Sequence, residues 1–243
     1  MFLALDTSTL TLSLALLECG PPFQVVEHVL HRPPRKQSEM LPGVIAELLG
    51  RHGVELRALE AIVVGLGPGS FTGLRIGLAT AKALAYAAHI PIAGASSLAA
   101  VALEGPEGRE VWPIAVARQQ DLYVGRYLRR GDRVEMLGQE EAHPPAEIAA
   151  RLVHAPDAVL SGPAVPEYRE QLVHLGVAPE RILSEGIVPS ACALGQIARI
   201  PRGFSLQDLF ALEPHYVRPS EAERNPRFPP SPGPTPSARL REE

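Results

Sequence analysis

The strongest chemical signal in the chain is Gly65-Leu66-Gly67-Pro68-Gly69-Ser70-Phe71-Thr72-Gly73-Leu74-Arg75. It follows an apolar run, Ala61 to Val64, and precedes an alanine-rich helical stretch. A strand, a glycine loop and a helix in that order form an anion cradle. Glycine lets the backbone approach a ligand, and the helix N-terminus offers unpaired N–H groups and the positive end of its dipole. The loop is not a Walker A sequence, because no Gly-Lys-Ser/Thr follows at the required spacing. It is not a nucleophile elbow either, since Gly69-Ser70-Phe71-Thr72-Gly73 offsets the serine from Gly-x-Ser-x-Gly. Ser70 and Thr72 therefore read as turn and helix-cap residues, with Thr72 as the cap. Arg75, in the first helical turn, is placed to hold an anion or a partner's carboxylate, and the second reading is preferred.

The elements that position this loop follow from periodicity. Phe2–Asp6 reads as a strand, Thr9–Leu17 as a second with Leu10, Leu12, Leu14 and Leu16 alternating, and Phe23–Leu30 as a third. Connections this short make them antiparallel. Ser38 is a plausible N-cap for a helix over 39–51 that carries Leu41, Ile45, Leu48 and Leu49 on one face. Strand Ala61–Val64, a helix over 72–88, strand Pro91–Ala95 and a short helix near Ser97–Leu103 follow. The second half reads as strands Val111–Ala117, Asp121–Leu128 and Arg133–Leu137, helix Ala146–Val153, strand Ala158–Ser161, and helices near 166–175 and 190–199. Strands followed by αβ units thus occur twice, which is an α/β architecture with mixed sheets. On the helix after the loop, Gly73, Gly77, Ala81, Ala85 and Ala88 recur at spacings of three or four. A face of small residues admits another backbone closely, from the parent sheet or from another subunit.

Composition narrows the function classes. The 243 residues carry 23 basic and 27 acidic side chains, a net charge of −4. That balance argues against a chain that grips nucleic acid on its own, which shows a basic excess or stripe. No apolar run reaches the roughly 18–20 residues of a membrane span. The N-terminus begins with a strand-like MFLALD and lacks the basic region and cleavage site of a signal peptide, so a cytoplasmic protein is expected. Cys19 and Cys192 are too few for a disulfide framework or a cysteine metal site.

With MFLALDTST at the start and GLGPGSFTGLRIG in the middle, the chain resembles the TsaB family, the accessory, non-catalytic paralogues within the TsaD/Gcp-like group. Ser38-Glu-Met-Leu-Pro42, Ala117-Arg118 leading to Tyr123, Ser161-Gly162 and Glu213-Pro-His-Tyr216-Val-Arg218 add to the resemblance, which covers about residues 1–218. It implies an actin-like or sugar-kinase-like ATPase fold, related to RNase H, with two related subdomains. These would be residues 1–104, with the glycine loop and dimerisation helices, and 105–218, whose last helix can pack back on the first. The Pro-rich tail over 219–243 is expected to be disordered. The resemblance further implies a non-catalytic scaffold for a TsaD-like catalytic paralogue. A TsaE-like ATPase would join the pair in forming threonylcarbamoyladenosine beside the tRNA anticodon. The isolated chain would be a homodimer, tRNA would be reached only through the complex, and no membrane would be involved. Family contacts run through the N-terminal helices. That places Leu41, Ile45 and Leu48 of the first, and Gly73, Arg75, Gly77, Ala81 and Ala85 of the second, at a partner interface.

An ATPase of this fold also needs an acidic turn after its first strand. Asp6-Thr7-Ser8-Thr9 has that form, and reads either as a remnant phosphate loop or as a strand-ending Asx turn. With Gly67, Gly69, Ser70 and Arg118 these residues make up a possible degenerate nucleotide site. The second acidic group is missing: where TsaB-like sequences often carry Asp-Ala-Arg, this chain has Val116-Ala117-Arg118, and an apolar side chain cannot bind Mg²⁺. A glycine-rich adenosine pocket is reduced to Ser161-Gly162-Pro163. The His-x-x-x-His metal pair of the catalytic paralogue has no counterpart, since His28 and His31 fall on opposite sides of an extended segment. No catalytic residue, metal or cofactor is therefore expected. The alternative function is an autonomous ATPase or small-molecule kinase of the same fold.

Overall fold

Leucine, valine and alanine runs near both ends of the first hundred residues are apolar at every position rather than alternately, the pattern of strands covered on both faces. A computed structural model describes residues 1–18, 20, 24–32, 37–118, 120–183 and 188–217 of the chain. The first sheet contains β1 (Phe2–Asp6), β2 (Leu12–Glu18), β3 (Gln24–His31), β4 (Ala61–Gly65) and β5 (Ile92–Ala95), in the order β3-β2-β1-β4-β5. β1 pairs antiparallel with β2 and parallel with β4. Successive residues of β1 feed two cores. Leu3 and Leu5 join the cluster under α1 (Gln37–Arg51) and α2 (Phe71–Ala88), whereas Phe2 and Ala4 join the one under α3 (Ser97–Leu103).

The second sheet is centred on β6 (Glu110–Val116). Along one edge lie β7 (Leu122–Val124) and β8 (Tyr127–Arg130), followed by β9 (Arg133–Met136) beside β8 and β10 (Glu141–His143) beside β7. On its other edge β6 pairs in parallel with β11 (Val159–Ser161). α4 (Pro145–Leu152) and α5 (Val165–His174) cover this sheet through Ile148, Leu152, Val165 and Leu172. α3 is buried throughout and lies between the sheets, with Leu98 and Ala102 packed against Val111 and Tyr127 of the second. The last two helices return to the first sheet. α6 (Ala191–Ile197) packs on β1 and β2, and α7 (Leu206–Ala211) packs on α2. Two sheets, each opening with an antiparallel hairpin and continuing into a parallel strand, make up the expected actin-like, RNase H-like α/β fold.

Several boundaries differ from the sequence reading for local reasons. β2 starts at Leu12 rather than Thr9, because the Thr9 hydroxyl donates to the Thr11 carbonyl and accepts the Thr11 N–H, closing a turn. α2 starts at Phe71 and is capped by Ser70, not Thr72: the Gly73 N–H donates to the Ser70 hydroxyl at 3.2 Å. Ser38 lies inside α1, not ahead of it. The expected strand Asp121–Leu128 divides into β7 and β8 around Gly125 and Arg126, where Gly125 lies against the Tyr127 ring. β10 and α7 are too short to give a periodic signal. The tail over 219–243 lies outside the described residues.

Candidate functional site

The glycine loop faces the end of β1, and the contact between them explains its composition. A Cβ on Gly65 would stand 1.9 Å from Oδ2 of Asp6, and one on Gly69 would stand 2.4 Å from the Ser8 carbonyl oxygen. Gly67 has a φ of +93°, which favours glycine on its own account. The Ser70 N–H donates to that Ser8 carbonyl at 2.7 Å. The glycines thus accommodate the neighbouring turn.

Asp6 is buried, and its carboxylate is fully engaged within the chain. Oδ1 accepts from the Ser8 N–H at 2.8 Å and the Ser8 hydroxyl at 2.6 Å; Oδ2 accepts from the Ser97 hydroxyl at 2.6 Å. Burial pushes the Asp6 carboxyl above its usual range, against the opposing pull of the hydroxyl and amide donors. Ser97 also accepts the Gly67 N–H at 3.1 Å and donates its own N–H to the Gly67 carbonyl at 2.8 Å, so it ties the loop to β1. Thr7 donates its hydroxyl to the Gly73 carbonyl at 2.8 Å. Of the two readings of Asp6-Thr7-Ser8, the geometry is that of an Asx turn clamped under the loop. Ser97 was not foreseen as part of this site. It lies 91 positions from Asp6, and a serine opening a helix ordinarily reads as a cap.

Beyond this clamp a cleft of about 610 Å³ opens between the two sheets. Ser8 to Thr11, Gly69 and Ser70 line one wall, with Arg32 at the side; Ala115, Val116, Pro163, Pro166 and Glu167 line the other. Asp6 does not line the cleft. A divalent cation holding a nucleotide takes several oxygen ligands, carboxylates among them. Here β1 gives its carboxylate to Ser8 and Ser97 and the opposite hairpin offers Val116, which leaves Glu167 of α5 as the carboxylate on the cleft wall. Gly162 has a φ of +112°, and a Cβ there would stand 2.6 Å from the Ile114 carbonyl oxygen, so this glycine is required by the chain's own backbone. Pro163 follows it into the cleft wall. Neither turn thus presents an acidic side chain to the cleft, so the paired acidic turns of a Mg-nucleotide site are not assembled here. Arg118 sits in the turn after β6, exposed, and does not line the cleft.

The small-residue stripe of α2 and the leucine face of α1 are turned inward in this chain, whereas Arg75 is exposed. Gly73, Gly77, Ala81 and Ala85 are buried in α2, and Leu41, Ile45 and Leu48 are buried in α1. A Cβ on Gly77 would stand 2.1 Å from the Thr7 hydroxyl oxygen, so the close neighbour of the stripe is the chain's own β1 turn. The exposed positions of the helix are Thr72, Arg75, Ala79, Ala83, Tyr86 and Ala87. Arg75 donates through Nε to the Tyr216 hydroxyl at 3.1 Å, and its guanidinium lies 4.0 Å from the centre of the Phe71 ring. Tyr216 in turn packs on Phe71, with ring centres 5.4 Å apart. The C-terminal segment thus reaches the start of α2 through Tyr216.

The family model for TsaD, tRNA N6-adenosine threonylcarbamoyltransferase, matches residues 29–168. Among curated proteins, the tRNA threonylcarbamoyladenosine biosynthesis protein TsaB of Bacillus subtilis is 29% identical over 91% of this chain and 95% of its own length. The protein of the same name from Haemophilus influenzae is 35% identical over 52% of this chain and about half, 53%, of its own. A crystal structure from Pseudomonas aeruginosa, described as an uncharacterized protein with similarity to peptidase YeaZ, superposes with a TM-score of 0.72 at 28% identity. It covers 89% of this chain and 99% of the other. Among the described residues, no helix is long and apolar enough to cross a membrane.

Proposed function

The chain belongs to the TsaD family, on its TsaB side, and from that premise we propose that it is a non-catalytic scaffold and activator of a TsaD-like threonylcarbamoyltransferase. The complex forms N6-threonylcarbamoyladenosine beside the tRNA anticodon. The chain acts in the cytoplasm, where a TsaE-like ATPase joins it, and it contacts tRNA only through its partners.

One observation carries the non-catalytic reading. The acidic side chain that an ATPase of this fold would present to its cleft, Asp6, is spent on Ser8 and Ser97, and the hairpin of the second sheet brings Val116 to the cleft wall. The partner contact, and the homodimer of the isolated chain, are assigned to the outward face of α2, from Thr72 and Arg75 through Ala79 and Ala83 to Tyr86. Leu41, Ile45, Leu48 and the glycine stripe support that face from within.

Reconstituted tRNA modification tests the proposal. Omitting the chain should lower product formation by the catalytic partner, and Asp6→Asn should restore it as well as the unmodified chain does. Undiminished product without the chain would overturn the scaffold role. Micromolar Mg-ATP binding with turnover by the isolated chain would favour an autonomous ATPase or small-molecule kinase. Tight tRNA binding at moderate salt without partners would instead establish a direct nucleic-acid module.

A further inference from the structure

The segment over 213–217 places a histidine where two sheets and the glycine loop converge. The backbone N–H of His215 donates to the Leu66 carbonyl at 2.8 Å, so the segment after α7 crosses the loop. The imidazole Nδ1 stands 2.7 Å from Oε2 of Glu140, whose side chain is 0% exposed. The other Glu140 oxygen takes hydroxyl donors from Tyr127 on β8 and from Ser96, the residue that caps α3. One buried carboxylate thereby joins the second sheet, the helix between the sheets and the C-terminal segment. The titratable and charged groups around the imidazole are Glu140 and, behind it, Tyr127. Tyr216 is the next residue along the segment and accepts from Arg75 of α2, and Glu213 lies on the segment itself.

We propose that His215 and Glu140 form a proton-operated clasp that fastens the C-terminal segment across the glycine loop. Two hydroxyl donors leave the charge of a fully buried carboxylate without a counter-charge, and a protonated imidazole supplies one at contact distance. Glu140 in turn holds the imidazole above its ordinary range, outweighing partial burial. A base raised in the folded state contributes fully below its free value, 6.5, and loses that contribution as pH climbs through the folded value. The clasp is therefore tight in mild acid and loosens on the alkaline side. It concerns the isolated chain and stands apart from the partner reading.

Hydrogen exchange at the His215 amide, with NMR titration of its imidazole between pH 5.5 and 8.5, tests the clasp on the full chain. In the unmodified protein the imidazole should titrate above its ordinary value. Protection of the His215 amide, corrected for intrinsic exchange, should fall with rising pH by about tenfold per unit of that displacement. In His215→Asn the side-chain amide replaces Nδ1 as an uncharged donor, and protection should no longer depend on pH. In Glu140→Gln the His215 titration should return to its ordinary value. An ordinary titration in the unmodified protein, pH-independent protection there, or an unchanged pH slope in His215→Asn would each overturn the proposal. Should a variant fail to fold, the titration of the unmodified protein decides alone.

Discussion

Gly77→Ala is the sharpest test of which way the small-residue face of α2 points. The added methyl would fall 2.1 Å from the Thr7 hydroxyl oxygen and 3.2 Å from Thr7 Cβ and Cγ2. Thr7 is 0% exposed and donates to the Gly73 carbonyl, so it cannot turn aside without breaking that bond. Overpacking of this kind costs about 1–3 kcal/mol, and the displaced hydrogen bond adds about 1 kcal/mol. Against this, alanine is favoured over glycine in a helix by about 1 kcal/mol. The net expectation is a loss of about 1–3 kcal/mol. A central value of about 2 kcal/mol lowers Tm by about 6 °C in a chain of this size. The assay is urea and thermal unfolding of the isolated chain at several concentrations, so that self-association is separated from folding. Thr7→Ala combined with Gly77→Ala vacates the space and should recover about 1 kcal/mol or more relative to the sum of the single variants. If Gly77→Ala instead stabilises the isolated chain by the helix-propensity gain and harms only partner association, the stripe faces outward and the packing argument fails.

Four further variants test the same geometry. Asp6→Asn keeps the shape of the turn but removes a buried charge. Because burial raises the Asp6 carboxyl, the unmodified protein loses stability as pH rises from about 3.8 through the folded value, so the variant's relative stability should grow across that window in urea melts; a constant difference between pH 4 and 7 would contradict it. Ser97→Ala leaves the buried Gly67 N–H without its acceptor and should cost about 1–3 kcal/mol in urea unfolding. The start of α3 should stay intact by circular dichroism, since Ser96 caps that helix. Leu48→Ala, at a fully buried position, should cost about 2–5 kcal/mol yet leave partner affinity per folded molecule unchanged. Ala83→Glu, on the outward face, should do the reverse, and pull-down with a TsaD-like partner distinguishes the two.

The glycine loop illustrates how a binding motif and a packing motif share one sequence. Glycine is demanded wherever a backbone approaches closely, whether the approaching group is a phosphate or another turn of the same chain. Gly65 and Gly69 meet Asp6 and Ser8, so the cradle is filled from within. The cleft that remains carries Val116 on the hairpin where an acidic group was expected, and Pro163 beside Gly162; its carboxylate comes from Glu167 instead. The same economy appears in α2, where Gly77 is reserved for Thr7.

Sequence alone determined the elements whose signals are local. The apolar runs gave β1 and β4, 3.6-residue periodicity gave α1 and α2, and the order of strand, glycine loop and helix gave the layout and the family resemblance. Both flanks of α2 carry small residues, Gly77 and Ala81 on one, Ala79 and Ala83 on the other. Periodicity marks a face without saying what lies opposite, so only packing decided which flank meets β1. The fate of Asp6 was equally out of reach. Its carboxylate is satisfied by Ser8 and by Ser97, 91 positions away, and His215 meets Glu140 across most of the second half of the chain. Hydrogen bonds between residues so far apart leave no trace in local composition. They arise only once the parallel strands have brought α3, the glycine loop and the C-terminal segment to the same end of the sheet.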